Sequence, residues 1–539
     1  MPASCPMPGI NLASAHEALE AAHPDRQCLV FRDRILSWRQ IGDRSRRVAG
    51  ALRAAGLGTV VERDRLAGWE KGQDVVALFC HNGNEYLEVM LGAYKARCAP
   101  VNVNYRYTAD ELAYVLRDSQ ARAVVVDPTL RPVLDEALPA CPAVTTVWEV
   151  GAPYEAVLAG AEPWSDPACS PDDLYVLYTG GTTGKPKGVL WRQADFVAGA
   201  LGITASEPAE LVAKAGNGDR LRALPSPPFM HGAAHWNAWS CWLAGGTVLV
   251  QSVVTHFDAH DVLTTAATHG ATSLQIVGDA FGQPLLDALR THHYDLGRLR
   301  HLTSGGAVLS ATTKAALLER LPHVTIMDIV GSSESGRQGV RSSTTASGAS
   351  TGTFEASAGA TVLDDTRTRE LAPGADEIGW MATCGPTPLG YLGDPTKSAA
   401  TFPVVDGRRY SVPGDRARRL ADGSIELLGR EAVTITTGGE KVFAEEVEQA
   451  IKAHPAVYDA LVVGRPDPRW GQAVVAVVAP RAGASVTLEE LRATASEHLA
   501  RYKLPKALVL CTAISRSPSG KPDYAWARSL VAATPETQD

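Results

Sequence analysis

Tyr178-Thr-Gly-Gly-Thr-Thr-Gly-Lys-Pro-Lys-Gly188 emerges from the apolar run Leu174-Tyr-Val-Leu-Tyr178. The run reads as a strand. The loop beyond it leaves backbone N–H groups free of Cβ obstruction and adds hydroxyls at Thr179, Thr182 and Thr183 and ammonium groups at Lys185 and Lys187. A strand opening into such a loop suits a bound polyphosphate. It is not a Walker A loop, because the Gly180–Gly184 spacing is one residue short and Pro186 stands where Ser or Thr should follow the lysine.

On both sides of this loop, apolar strand-like runs alternate with helix-like segments. Val75–Cys80 precedes NEYLEVMLGAYKA, ARAVVVD (121–127) follows ADELAYVLRDS, GTVLVQS (246–252) precedes HDVLTTAATHG, and TSLQIV (272–277) precedes QPLLDALRTHH. The alternation predicts an α/β fold with largely parallel sheets. Residues 342–360 are rich in Ser, Thr, Ala and Gly and read as a flexible surface segment or as loosely patterned strands. With 539 residues the chain is too long for one typical domain. A boundary falls near residue 430, dividing a large N-terminal domain of layered α/β subdomains (1–430) from a small, mobile C-terminal α+β domain (431–539).

Composition is that of an ordinary globular protein, 45% hydrophobic and 20% charged, with a net charge of −8. A mildly acidic chain without a Lys/Arg block points away from bulk nucleic-acid binding. Nine scattered cysteines with no Cys-x-x-Cys read as reduced thiols. No signal-peptide pattern or membrane-length apolar run occurs, so a cytoplasmic location is expected.

Further motifs follow in order: Pro227-Pro-Phe-Met-His-Gly-Ala-Ala-His-Trp236, Ser304-Gly-Gly-Ala307, Asp328-Ile-Val-Gly-Ser-Ser-Glu-Ser-Gly336, Tyr410-Ser-Val-Pro-Gly-Asp415, Gly429-Arg430, Thr436-Thr-Gly-Gly-Glu-Lys-Val-Phe443 and Ser517-Pro-Ser-Gly-Lys-Pro522. Taken one at a time they have plain readings: a polar turn, core histidines, packing tryptophans (Trp236, Trp239, Trp242), a Gly-Asp turn, a surface lysine. His231 and His235 have metal-ligand spacing on a helix, but no third ligand accompanies them.

As an ordered set, these motifs resemble those of the adenylate-forming superfamily, which includes acyl-CoA synthetases, adenylation domains and firefly luciferase, over about residues 11–528. The resemblance implies an ATP/AMP site formed by Thr179, Gly180, Gly181, Thr182, Thr183, Gly184 and Lys187, with Gly305 and Gly306 on the adenine side and Gly331, Ser332 and Ser333 beside Glu334. It implies that Glu334 holds Mg²⁺, that Asp415 and Arg430 hold the ribose, and that His231 lines the junction of the acyl pocket and the coenzyme A channel. Lys521 is implied as the catalytic lysine, and Gly438, Gly439 and Glu440 as the loop that serves the thioester step.

Departures from the family pattern are Gly180 for Ser, Val330 for the adenine-stacking Tyr, Ser333 for Thr, and Ala432 where a charged hinge residue is usual. Arg337, just beyond Glu334, is surface or contacts an anionic substrate group. Leu190-Trp-Arg-Gln193 and Val277-Gly-Asp-Ala280 resemble the bacterial steroid and fatty-acid ligase branch. The implied reaction is ATP-dependent formation of an acyl-AMP from a small-molecule carboxylic acid, a bulky lipid or steroid acid or an aryl acid, then transfer to coenzyme A; the resemblance leaves room for a homodimer. Three rivals are a diazotase-like enzyme that activates nitrite for attack by an aryl amine, a carrier-loading adenylation domain, and a non-catalytic nucleotide-binding module. His235, Arg337, Ala432 and Thr434–Thr436 are the departures that could accompany the first.

Overall fold

The computed structural model describes residues 9–179, 185–216, 221–437 and 439–534. The alternating segments fold as their patterns predict. Val75–Phe79, Ala99–Asn102, Ala121–Val126 and Thr146–Glu149 form an all-parallel sheet, with the helices Asn84–Lys95 and Ala109–Asp118 in the crossovers. Three of its strands, Val75–Phe79, Ala99–Asn102 and Ala121–Val126, are buried throughout or nearly so, as a sheet covered on both faces requires.

A second and larger sheet carries the parallel strands Gln27–Phe31, Thr247–Val250, Arg222–Pro225, Ser273–Ile276, His301–Gly305 and Thr325–Ser332 in that spatial order. One face packs on Leu263, Phe281, Leu285 and Leu317 of three helices. The other packs on the helix Gly232–Leu243, whose Trp239 and Trp242 are fully buried with rings 5.3 Å apart, edge to face. The carboxyl ends of these strands lead into Ser226–His231, Val277, Gly305–Gly306 and Ser332–Glu334. In open parallel sheets that edge is where ligands bind.

The expectation of largely parallel sheets fails between Gly336 and Arg430. The strands from Gly336 to Arg430 pair antiparallel, apart from the helical turn Pro395–Thr401 between them. The reason is local: turns replace crossover helices there, and strands joined by short turns can pair only antiparallel. Of the two readings of residues 342–360, the structure has loosely patterned strands, with Thr353–Ala356 inside the large sheet. The helix placed after TSLQIV begins earlier than its apolar pattern, at Gly278, and accommodates Pro284 in its interior.

Residues from Val433 onward have their own five-stranded sheet and their own core. Gly471–Pro480 is central in that sheet, and Val474, Val475, Val477 and Val478 on it are completely buried. Each such side chain contributes about 1.5–3 kcal/mol, enough for a small unit to hold a core of its own. Helices Ala444–Lys452, Leu488–Ser496 and Tyr524–Ala533 cover it.

Candidate active site

Glu334 sits in the tight turn joining Thr325–Ser332 to Gly336–Ser343. Its N–H donates to Ser332 Oγ (3.2 Å), its carbonyl accepts from Ser411 Oγ (2.6 Å), and Oε1 accepts from Tyr391 OH (3.0 Å). The turn needs Gly331, because a Cβ there would lie 2.2 Å from Gly336 O. Trp191 Nε1 donates to Ser333 O (3.0 Å) and so ties the turn to the strand that follows the phosphate loop.

Asp415 and Arg430 are directly opposed on the antiparallel strands Asp415–Arg419 and Ile425–Arg430. Arg430 Nε donates to Asp415 Oδ1 at 3.3 Å. Asp415, with Glu334 and Glu445 adding to it, raises the Arg430 pKa against the opposing effect of burial. Their fifteen-residue separation in sequence is the length of one hairpin, which turns two weak signals into one pair.

Lys187 opens the strand Lys187–Arg192, opposite Thr179. Its Nζ is paired with Asp394 Oδ2 at 2.6 Å. Both side chains are about one-third exposed, so the pair is worth at most about 1 kcal/mol, and a phosphate can compete for the lysine. Gly180, Gly181, Thr182, Thr183 and Gly184 lie outside the described residues.

The small domain delivers Lys521 into this site. Its Cε is 3.8 Å from where a Cβ on Gly306 would stand, and Gly306 has φ +91°. Protein surrounds the Lys521 side chain at the junction of the two domains, although solvent still reaches it. That enclosure lowers its pKa; Arg430 lowers it further and Glu334 opposes. The preceding Gly520 (φ +72°) is seated on Val277, Ala280 and Phe281, where a Cβ would meet Val277 O at 3.1 Å. Lys452 Nζ lies 3.6 Å from Asp279 and 3.0 Å from Asp459, which a bidentate Arg516 also holds. Although burial raises it, these two cations keep the Asp459 carboxyl well below its usual range.

His231 immediately precedes the helix Gly232–Leu243. Its Nε2 is buried without a partner, and burial, Lys521, His235 and Arg106 lower its pKa to about 3. The ring is therefore neutral at any working pH and can offer a hydrogen bond but no charge. His235 is a core residue: Nδ1 meets Phe229 O at 2.6 Å and Nε2 bonds the Tyr175 hydroxyl. Trp236 Nε1 donates to the same hydroxyl (2.6 Å).

The sequence of residues 16–389 matches the model of the AMP-binding enzyme, and residues 446–521 that of the AMP-binding enzyme C-terminal domain. The chain belongs to the AMP-binding enzyme family. Among AMP-binding enzymes it is 46% identical to the medium-chain acyl-CoA ligase Mig of Mycobacterium avium, covering 95% of this chain and 96% of that protein. It is 38% identical to a 3-oxocholest-4-en-26-oate–CoA ligase of Rhodococcus rhodochrous, covering 98% and 97%. ATP-bound MatB from Rhodopseudomonas palustris superposes with a TM-score of 0.81 at 25% identity, over 97% of this chain and 99% of that one. An anthranilate CoA ligase, AuaEII, shares the fold with a TM-score of 0.80 at 21% identity, over 98% and 99%.

In this AMP-binding enzyme, Glu334, Arg430 with its partner Asp415, Gly305, Gly306 and His231 come together around Lys521. The loop of Gly439 and Glu440 does not: both residues are exposed, and a Cβ on Gly439 (φ +86°) would meet nothing within 4 Å. Gly438 lies outside the described residues. Ala432 is exposed in the turn Glu431–Val433, where Lys441 Nζ reaches Glu431 at 2.6 Å. Sequence reasoning missed Tyr391 and Asp394. Each meets its partner only through the fold, 57 residues from Glu334 in the case of Tyr391 and 207 from Lys187 in that of Asp394.

Proposed function

We propose that this enzyme activates a carboxylic acid with ATP as an acyl-AMP, releasing pyrophosphate, and then transfers the acyl group to coenzyme A with release of AMP. The observation that carries the reading is Lys521, held by the small domain beside Gly306 and within the fields of Glu334 and Arg430. The relatives named as medium-chain and steroid-acid CoA ligases support it. They also favour an acid of medium-chain or steroid type. None of them supports nitrite activation, and His235, one of the departures behind that rival, is accounted for by its core hydrogen bonds.

The division of labour follows from charge. In the first step a carboxylate oxygen attacks the α-phosphorus while the pyrophosphate oxygen leaves, so two anions must be held in line. Lys521 is the cation placed to offset their repulsion. Asp415 accepts from the two ribose hydroxyls, and Arg430, already aligned with Asp415, fixes the same sugar. Thr179, the glycine-rich loop 180–184 and Lys187 cradle the phosphates, with Lys187 released from Asp394. Gly305 and Gly306 border the adenine, and Gly331, Ser332 and Ser333 shape the turn that presents Glu334. Glu334 bonds Tyr391 through Oε1 and has Oε2 to offer a divalent cation. One carboxylate together with phosphate oxygens is the donor set Mg²⁺ commonly takes, and Mg²⁺ bound there would neutralise phosphate charge.

In the second step the coenzyme A thiol attacks the acyl carbonyl and AMP leaves with the bonding electron pair. Lys521 has no part in that step. We infer that the chain divides after Arg430, that residues 431–539 turn as a unit, and that Gly438, Gly439 and Glu440 then take the place of the Lys521 turn, with His231 at the junction of acyl pocket and thiol channel. The test is acid-dependent exchange of pyrophosphate into ATP, with thioester formed only when coenzyme A is added. Acid-independent exchange, or ATP split to ADP, contradicts the reading.

A further inference from the structure

Directly after Glu334 the chain returns as the strand Gly336–Ser343, and this strand is irregular. Val330 pairs with Gly339 and Gly331 with Arg337, so Gln338 is the extra residue of a β-bulge. Bulges re-aim side chains and concentrate beside active sites. Strand register identifies the face involved. Gln275, Thr303 and Met327 stand abreast, Gly305, Ile329 and Val340 form the next row, and Gly331 and Arg337 the row beyond. Opposed residues share a face of a sheet. Arg337 therefore continues the face that carries Gly305, and alternation from Val340 returns Gln338 to it. On that face Gln275 Nε2 donates to Ala233 O (2.8 Å), in the helix that starts after His231. The bulge rests on the π-helical turn Phe196–Ala200 and the loop after it: a Cβ on Gly336 would lie 2.6 Å from Gly199 O, and one on Gly202 would lie 2.3 Å from the Arg337 guanidinium.

This wall holds polar atoms that the protein leaves unsatisfied. Gln338 is 0% exposed, and neither its amide oxygen nor its nitrogen has a partner. The Gln275 amide oxygen and the Thr303 hydroxyl, both buried, are also without one. Arg337 is half-buried, and among the described residues nothing hydrogen-bonds or ion-pairs with its guanidinium. A buried group left unpaired costs about 1–3 kcal/mol, more for a charge. A ligand oxygen that completes such groups is strongly selected over an analogue lacking it.

We propose that this wall reads an acceptor oxygen on the acid substrate, remote from the carboxylate that is activated, with Arg337 and the Gln338 amide as its donors. The acid is thus one with a second polar end, either a ketone carbonyl or a second carboxylate. The inference rests on the ligase reading above and names the substrate class for that same site.

The experiment is acid-dependent pyrophosphate exchange with three medium-length acids: a plain monocarboxylic acid, its keto counterpart and the dicarboxylic acid of equal length. The expected result is a kcat/KM at least about tenfold higher for one of the two oxygen-bearing acids than for the plain acid. R337M and Q338L each lower that ratio by about tenfold, mainly through KM. R337K, which keeps the charge without the planar fork, gives an intermediate ratio. A dicarboxylic preference assigns the oxygen to a carboxylate, and a keto-acid preference assigns it to a carbonyl. The proposal is overturned if the plain acid is used as well as both, or if neither R337M nor Q338L, shown folded by thermal melting, moves the ratio. Exchange with none of the three acids overturns this inference, and exchange with no acid at all, steroid acids included, overturns the ligase reading.

Discussion

The Lys521 turn and the Gly439 turn belong to one small domain, yet their surroundings are opposite. Gly520 is seated on Val277, Ala280 and Phe281 and delivers Lys521 to Gly306, whereas Gly439 projects into open space. Lys521 is in place beside Gly306, and the turn of Gly439 is not in that site. On the proposed mechanism, the difference means that one arrangement of the domains serves one step, and that the second step requires the first docking surface to be given up.

The sharpest break in this comparison is K521A. It should slow acyl-AMP formation about 10²–10³-fold, measured by pyrophosphate exchange, while thioester formation from supplied acyl-AMP proceeds at the parent rate. Next is G439W, which should leave exchange intact and reduce thioester formation by about 10²-fold; equal loss of both steps would dissolve the distinction between the two turns. D415A concerns the fixed side of the cleft. It should raise the KM for ATP in exchange, and that for supplied acyl-AMP in thioester formation, about tenfold or more, because on the proposed reading the large domain holds the ribose in either arrangement.

How far the sequence reaches follows the same line. Asp415 with Arg430, Glu334 with its serine turn, and Lys521 were legible because each lies in a short motif whose order along the chain is itself a signal. Tyr391 and Asp394, which complete Glu334 and Lys187, were not legible. Their partners lie far away in sequence, and a Tyr or an Asp in a turn has many plain uses. The antiparallel strands between Gly336 and Arg430 escaped because turns join most of them and only the short helix Pro395–Thr401 interrupts them. The bulge at Gln338 escaped because register is a property of two strands at once. The phosphate loop 180–184, the strongest signal in the sequence, lies outside the described residues.

Glu445 supplies the smallest and subtlest effect. Its Oε2 is buried without a partner, and a Cβ on Gly429 would lie 2.5 Å from it. Burial, with Glu448 and Asp415 adding to it and Arg430 opposing, pushes its pKa up to about 8. If the small domain turns away, the carboxyl returns to an ordinary pKa of about 4.3. The docked arrangement then binds the extra proton between these values. Its relative stability is full below the ordinary pKa, falls as pH rises through the window and levels off above about 8. Pyrophosphate exchange should therefore decline on the order of a few-fold from neutral pH to above 8 in the parent. E445Q, uncharged at every pH, should flatten that decline. An identical slope in both proteins would remove Glu445 from the docking account.

The most direct test of the central claim is single-turnover formation of acyl-AMP by the parent, K521A and G439W, with a medium-chain acid and ATP and without coenzyme A. Docking of Lys521 beside Gly306 predicts product in the parent and G439W at like rates, and near-absence in K521A. Acyl-AMP formed by K521A at the parent rate would contradict it.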